Sequence, residues 1–178
     1  MKKNDNIFVL AIKLFVICLV VALGLSALNY VTKPIIDELT ESKKAEAMQS
    51  VLSDCELEKF SDAVYVGIEN GEIKGYAVNV VTPEGYGGDI ELIVGFDADF
   101  NVTGVEYISM SETPGLGSRA KEEPFASQFN GKPAQDFSEI QAMTGATVTS
   151  KAVNGAINQA SDMAKEAKEA KETKEGAK

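Results

Sequence analysis

Four residues in the second half of the chain, Thr144-Gly145-Ala146-Thr147, have the types and spacing needed to hold a phosphate or to be esterified by one. They precede an amphipathic helix, whose apolar residues recur every three or four positions: Val148, Ala152, Val153, Ala156, Ile157 and Ala160. Thr149 or Ser150 is a natural N-cap, which places the Thr147 hydroxyl just outside the first turn. The unpaired N–H groups and positive dipole end of the helix favour an anion there, and Gly145 lets the backbone approach a ligand closely. The same pattern also occurs as ordinary helix capping, so by itself it leaves both interpretations open.

The composition of the 178-residue chain excludes several kinds of chemistry. The sequence contains no His, which rules out a His-ligated metal site, a Ser-His-Asp triad and an imidazole proton relay. Two cysteines, Cys18 and Cys55, are too few for a zinc or iron–sulfur site, and we expect no metal and no catalytic side chain. The formal net charge of −10 argues against a nucleic-acid partner. Redox or proton chemistry would therefore depend on carboxylates, Tyr, Lys or a bound cofactor.

The N-terminal region predicts a membrane anchor. Residues 1–6 are polar, and the stretch 7–30 is predicted to be a transmembrane helix, because 7–28 is apolar apart from Lys13 and Ser26. At about 1.5 Å per residue, such a run crosses a hydrocarbon core of roughly 30 Å. The alternative is a cleaved signal peptide, but the apolar run is longer than a typical signal core. We expect a single uncleaved span that contacts membrane lipid.

The distribution of lysines predicts the orientation of that span. Lys2, Lys3 and Lys13 gather at its N-terminal end, whereas Lys33 alone follows it closely. The positive-inside rule then favours a cytoplasmic N-terminus in the cell membrane, with the rest of the chain extracytoplasmic.

Beyond the span, the sequence predicts an α+β fold in which helices flank an antiparallel sheet. A stalk helix is expected over 31–58, entered at Pro34, and a domain over 59–162. Its four predicted strands are 63–69, 73–81, 90–96 and 102–108, and Asn70-Gly71 is a hairpin turn. Residues 163–178, rich in Lys, Glu and Ala, are expected to form a solvated tail, although i,i+4 pairs could instead prolong the last helix.

Two glycine-containing loops, taken together with the Thr144 segment, resemble the motifs of a known protein family. The first is Gly85-Tyr86-Gly87-Gly88, followed by Ile90 and Val94-Gly95, and the second is Glu112-Thr113-Pro114-Gly115-Leu116-Gly117. With Thr144-Gly145-Ala146-Thr147-Val148-Thr149, they make roughly residues 60–160 resemble the FMN-binding domain of the G subunit of Rnf electron-transport complexes. The same domain occurs in the C subunit of sodium-translocating NADH:quinone reductase.

This resemblance implies covalent FMN, joined through its phosphate to Thr147, with Thr144, Gly145 and Ala146 completing the motif. Thr149 is the competing hydroxyl and is better interpreted as a cap. The expected contacts of the isoalloxazine or ribityl chain are Glu112, Thr113, Gly115 and Leu116, and Tyr86, which could stack, and Gly87 are also expected to bind the cofactor. Glu112 could instead be a solvated loop carboxylate, and Tyr86 could simply cover the sheet. A flavin transferase would install FMN from FAD.

The implied function is electron transfer in an Rnf-type complex that couples ferredoxin:NAD⁺ oxidoreduction to Na⁺ or H⁺ translocation. The chain would act with other membrane subunits, without independent turnover and without an ion pathway of its own. Two positions depart from the family pattern: Gln141 stands where Asp is usual, and Met110 where His is frequent. The alternatives are a freestanding surface flavoprotein in extracellular electron transfer and a non-redox, membrane-tethered binding module.

Overall fold

A computed structural model describes residues 7–53, 55–134, 137 and 139–175 of the chain. The chain divides after Ser42 into two compact units. One helix, α1 (Ile7–Val51), begins in the first unit and ends in the second. Every residue from Ile7 to Leu39 is exposed, including the apolar ones. Among the described residues, α1 is the one helix long and apolar enough to cross a membrane.

The stalk differs in detail from its prediction. The helix does not restart at Pro34, since α1 continues through this residue. A proline removes one hydrogen bond from the helix, but the residues on both sides of Pro34 keep their helical conformation. The helix predicted over 31–58 ends at Val51 instead, and a strand occupies Glu56–Lys59.

The second unit is built around a five-stranded antiparallel sheet in which each strand pairs with the next along the chain. Its strands are β1 (Glu56–Lys59), β2 (Val64–Glu69), β3 (Glu72–Thr82), β4 (Ile90–Asp97) and β5 (Val102–Met110). The predicted α+β fold and its four main strands are therefore confirmed, and Asn70-Gly71 forms the β2–β3 turn with both φ angles positive. The sequence analysis missed β1, an exposed edge strand whose single apolar residue gives no alternating pattern.

Apolar side chains cover both faces of this sheet. On one face, the end of α1 packs against Ala77 and Ile93 through Ala47, Met48, Val51 and Leu52. The other face carries the larger core, which β2 to β5 share with α3 (Thr147–Glu175). Short helical turns at Gly117–Lys121, α2 (Glu123–Ala126) and Ser127–Phe129 complete this core through Ala120, Phe125 and Phe129.

The C-terminal tail was wrongly expected to be solvated over its described part, 163–175, while 176–178 lie outside the described residues. The helix α3 continues to Glu175, Ala164 and Ala167 are buried, and Lys171 forms an ion pair with Glu58 of β1 at 3.3 Å. Ala160, Ala164 and Ala167 lie on one face of the helix, where a small side chain allows close packing on the sheet. The alternative, a prolonged helix, is the observed structure.

Candidate functional site: a cleft at the start of the last helix

The three segments singled out in the sequence meet at one cleft in the second unit. Its volume is about 460 Å³, within the range typical of small-molecule sites. One side is formed by the loop after β5 and the other by the start of α3, with Tyr86 contributed by the loop between β3 and β4. The lining residues are Tyr86, Glu112, Thr113, Leu116, Gly117, Gly145, Ala146, Thr147, Val148 and Thr149.

Thr147 is the first residue of α3 and is exposed to solvent. No described residue accepts a hydrogen bond from the backbone N–H groups of Thr147, Val148 or Thr149, whereas Ser150 N–H donates to the Ala146 carbonyl at 3.0 Å. Unpaired N–H groups and the helix dipole make such a terminus favourable for an anion. The N-terminus of α3 lies slightly earlier than predicted, because Thr147 belongs to the first helical turn rather than preceding it.

The turn before α3 is fixed by local hydrogen bonds. Ala146 N–H donates to the Met143 carbonyl at 3.0 Å, and Met143 N–H donates to Ser150 Oγ at 3.0 Å. Gly145 has a φ of 80°, a conformation that glycine adopts without strain. The glycine is therefore required by the turn itself, in addition to the close approach expected from the sequence.

Neither predicted N-cap residue caps the helix. Ser150 donates its hydroxyl to the Ala146 carbonyl at 3.0 Å, and Thr149 donates its hydroxyl to Glu112 Oε2 at 2.8 Å. Both side chains are buried beneath the cleft. The N-cap prediction was wrong because α3 already begins at Thr147, whereas an N-cap at Thr149 or Ser150 would start the helix at Ser150 or Lys151.

Glu112 is buried, so the interpretation of this residue as a solvated loop carboxylate was wrong. Its side chain is 7% exposed and lines the cleft. Its Oε1 accepts the Gly87 N–H at 3.2 Å, and its Oε2 accepts the Thr149 hydroxyl. A Cβ at Gly117 would collide with both the carboxylate and the Thr149 hydroxyl, which explains the glycine.

Seven of the ten residues predicted for the site lie in the cleft lining: Tyr86, Glu112, Thr113, Leu116, Gly145, Ala146 and Thr147. Tyr86 is 73% exposed, so it does not cover the sheet. Leu116, 44% exposed, has its side chain over Gly145 and joins the two sides.

The other three predicted residues are not in the lining. Gly87 contacts the cleft only through its bond to Glu112, and Gly115 N–H donates to Ser118 Oγ at 2.9 Å. Thr144 is exposed and lines a smaller neighbouring cavity of about 200 Å³ together with Arg119 and Gln141.

Sequence reasoning missed Gly117, Val148 and Thr149 as lining residues. Val148 was assigned to the buried face of the helix, but it is 51% exposed and gives the cleft an apolar surface. Its position directly after Thr147 was the available signal. The chemical capacity of the cleft follows from this lining, which combines an anion-binding helix start, a free hydroxyl and apolar surface from Leu116 and Val148.

Residues 85–162 match the model of the FMN-binding domain family. The G subunit of the Na⁺-translocating ferredoxin:NAD⁺ oxidoreductase complex of Acetobacterium woodii is 35% identical, over 85% of this chain and 88% of that protein. The G subunit of the proton-translocating complex of Clostridium ljungdahlii is 32% identical, over 89% of this chain and 92% of that protein.

A solved structure has a partial likeness to the chain. The crystal structure of NqrC from Shewanella oneidensis aligns with a TM-score of 0.47 and 23% identity, covering 53% of this chain and 52% of that one.

The family match identifies an FMN-binding domain in this chain. The chain belongs to the family of the G subunits of ion-translocating ferredoxin:NAD⁺ oxidoreductase complexes.

The two departures from the family pattern have different surroundings. Gln141 is exposed; its backbone N–H donates to Gln128 Oε1 at 2.8 Å. Met110 ends β5 and packs partly buried against the larger core.

Proposed function

We propose that the chain is a membrane-anchored electron carrier whose FMN is bonded through its phosphate to the hydroxyl of Thr147. The observation that carries this proposal is an exposed threonine at the start of α3, within a cleft of suitable volume. Thr149, the competing hydroxyl, is 1% exposed and donates to a carboxylate.

The residues of the cleft suit FMN. The free N–H groups at the start of α3 would stabilise the phosphodiester charge. Tyr86, Leu116 and Val148 offer apolar surface to the flavin, and Glu112, with Gly117, forms the floor. The bound flavin supplies the redox chemistry, while the chain holds the cofactor, orients it and limits its contact with water.

Covalent attachment keeps the cofactor on a domain that faces the outside medium. In the proposed maturation, the Thr147 Oγ1–phosphorus bond forms and the pyrophosphate bond of FAD breaks. AMP leaves, and the hydroxyl proton passes to a base of the flavin transferase. The exposure of Thr147 supports access of such an enzyme.

The apolar part of α1 and the names of the relatives support the proposed membrane anchor and the proposed subunit partners. Residues 7–28 present an exposed and largely apolar surface, for which membrane lipid is the natural environment. The relatives are subunits of complexes named for ferredoxin:NAD⁺ oxidoreduction with Na⁺ or proton translocation. We place this chain in such a complex, with its N-terminus cytoplasmic and its flavin domain extracytoplasmic.

The flavin proposal is tested by in-gel fluorescence of the natively expressed protein after full denaturation. Thr147→Val removes the acceptor hydroxyl with little change in volume, and Thr149→Val is the matched control two residues along. We expect a fluorescent band in the wild type and in Thr149→Val, and none in Thr147→Val. A colourless wild-type protein would favour a binding module, and a band that persists in Thr147→Val would place the attachment elsewhere.

A further inference from the structure

Glu112 is a buried carboxylate whose hydrogen bonds join three separate segments. It belongs to the loop after β5, its Oε1 accepts the Gly87 N–H of the β3–β4 loop, and its Oε2 accepts the Thr149 hydroxyl in the first turn of α3. Gly87 and Thr149 are 25 and 37 residues away along the chain. Among the described residues, no Lys or Arg forms an ion pair with it.

Burying a carboxylate without a cation is costly, so its hydrogen bonds must compensate for much of the lost hydration. A leucine or methionine would occupy this position at lower cost if only packing were needed. The surroundings are specialised for the carboxylate as well. The Gly117 position has no room for a Cβ beside Glu112, and a Cβ at Gly87 would collide with the Ser111 carbonyl.

The position of these bonds relative to the cleft gives them a role. Tyr86 directly precedes Gly87 and lines the cleft, and Thr149 follows Thr147 by two residues. The Gly87 bond therefore restrains the backbone that carries Tyr86. The Thr149 bond restrains the helical turn that carries the proposed attachment point.

We propose that Glu112 is a positioning residue, which fastens the loop carrying Tyr86 and the first turn of α3 to the loop after β5, so that the flavin cleft is formed before the cofactor is present. This inference rests on the proposed flavin site. It assigns Glu112 to the support of the cleft rather than to the attachment chemistry.

Glu112→Gln tests the two hydrogen bonds of this side chain separately from its negative charge. The glutamine carbonyl can still accept the Gly87 N–H, and its NH₂ group can donate to Thr149 Oγ1, so both links persist without the negative charge. Glu112→Ala removes both links. Thr149→Val removes one of them at constant shape, and Thr149→Ser retains its hydroxyl.

The test measures the mobility of the attached flavin in the folded, full-length protein in detergent. Its readouts are fluorescence anisotropy, quenching by iodide and the visible circular dichroism of the flavin, with the melting temperature as a check on folding. Glu112→Gln and Thr149→Ser should match the wild type. Thr149→Val should raise the population of the open, iodide-accessible cleft roughly tenfold, as expected for losing one hydrogen bond to a charged group. Glu112→Ala should raise it further.

The proposal is overturned if Thr149→Val, fully folded, holds its flavin as rigidly as the wild type, or if Glu112→Gln is as mobile as Glu112→Ala. The Thr149 pair keeps the test decisive even if Glu112→Ala fails to fold. A wild-type protein without covalent flavin would contradict the proposed function instead, which distinguishes the two failures.

Discussion

At the scale of single residues, the core contains a tyrosine hydroxyl that carries a cost in stability. Tyr107 lies on β5, and its hydroxyl is buried without a hydrogen-bond partner among the described residues. Burial raises the pKa of Tyr107 above the ordinary tyrosine value of 10.0. The folded state therefore binds the phenolic proton more tightly than the unfolded chain does. The stabilisation that comes from this tighter proton binding is fully present below the pKa of Tyr107 in the unfolded chain, and it is lost as the pH rises above that value.

We expect Tyr107→Phe to be at least as stable as the wild type at pH 7, because it removes an unsatisfied buried hydroxyl. The stability advantage of Tyr107→Phe should grow as the pH passes about 10. Above that pH the unfolded wild type is stabilised by ionisation of its tyrosine, and the phenylalanine variant has no group that ionises. Urea unfolding of both proteins at neutral and alkaline pH measures the difference. Tyr65→Phe, a partly buried tyrosine on β2, is the control. A deficit of Tyr107→Phe that is equal at both pH values would contradict this interpretation.

At the scale of secondary-structure elements, α1 combines two roles within one continuous helix. Its first part is exposed from Ile7 to Leu39 and is apolar over 7–28 apart from Lys13 and Ser26, whereas Met48 and Val51 near its end are buried against the sheet. The Thr103 hydroxyl donates to the Val51 carbonyl at 2.6 Å, and Lys44 pairs with Glu91 at 2.9 Å. These contacts tie the end of the helix to the sheet of the second unit.

The proposed orientation of α1 predicts a simple labelling result. In a variant with Cys18 and Cys55 replaced by Ala, Glu72→Cys places a thiol on the exposed β2–β3 hairpin. A membrane-impermeant maleimide should label this thiol in cells whose outer envelope layers have been removed and whose cell membrane is intact. The matched variant Asn4→Cys should react only after the membrane is permeabilised. The reverse pattern would place the domain in the cytoplasm.

Elements with a strong local pattern were predictable from the sequence, and those that depend on tertiary contact were not. The alternating run of β3 and the Asn70-Gly71 turn carry their signals locally. In contrast, β1 pairs with β2 despite an almost wholly exposed sequence. The C-terminal part of α3 is polar in composition, and only its contact with the sheet reveals the alanines as core residues.

In the candidate site, too, residues in local motifs were predictable and residues placed by tertiary contacts were not. Thr147, Leu116 and Tyr86 were identified from motifs and lie together in the cleft. The role of Thr149 in the cleft was missed, because its hydrogen bond to Glu112 joins residues that are distant along the chain. No local pattern reports such a pair.

At the scale of the whole molecule, the chain combines an apolar helix, a small α+β domain and the exposed hydroxyl of Thr147, which we propose as the attachment point of FMN. The proposed redox function depends on the flavin, which supplies the electron chemistry when bound. The central claim is that electrons of the complex pass through the cofactor on Thr147.

The most direct measurement of this claim is ferredoxin-dependent NAD⁺ reduction by complexes purified from membranes that carry either the wild type, Thr147→Val or Thr149→Ser. Subunit composition and melting temperature would establish that all three complexes assemble. We predict that Thr147→Val abolishes the reaction and that Thr149→Ser leaves it near the wild-type rate. A fully assembled Thr147→Val complex with the wild-type rate would contradict the account.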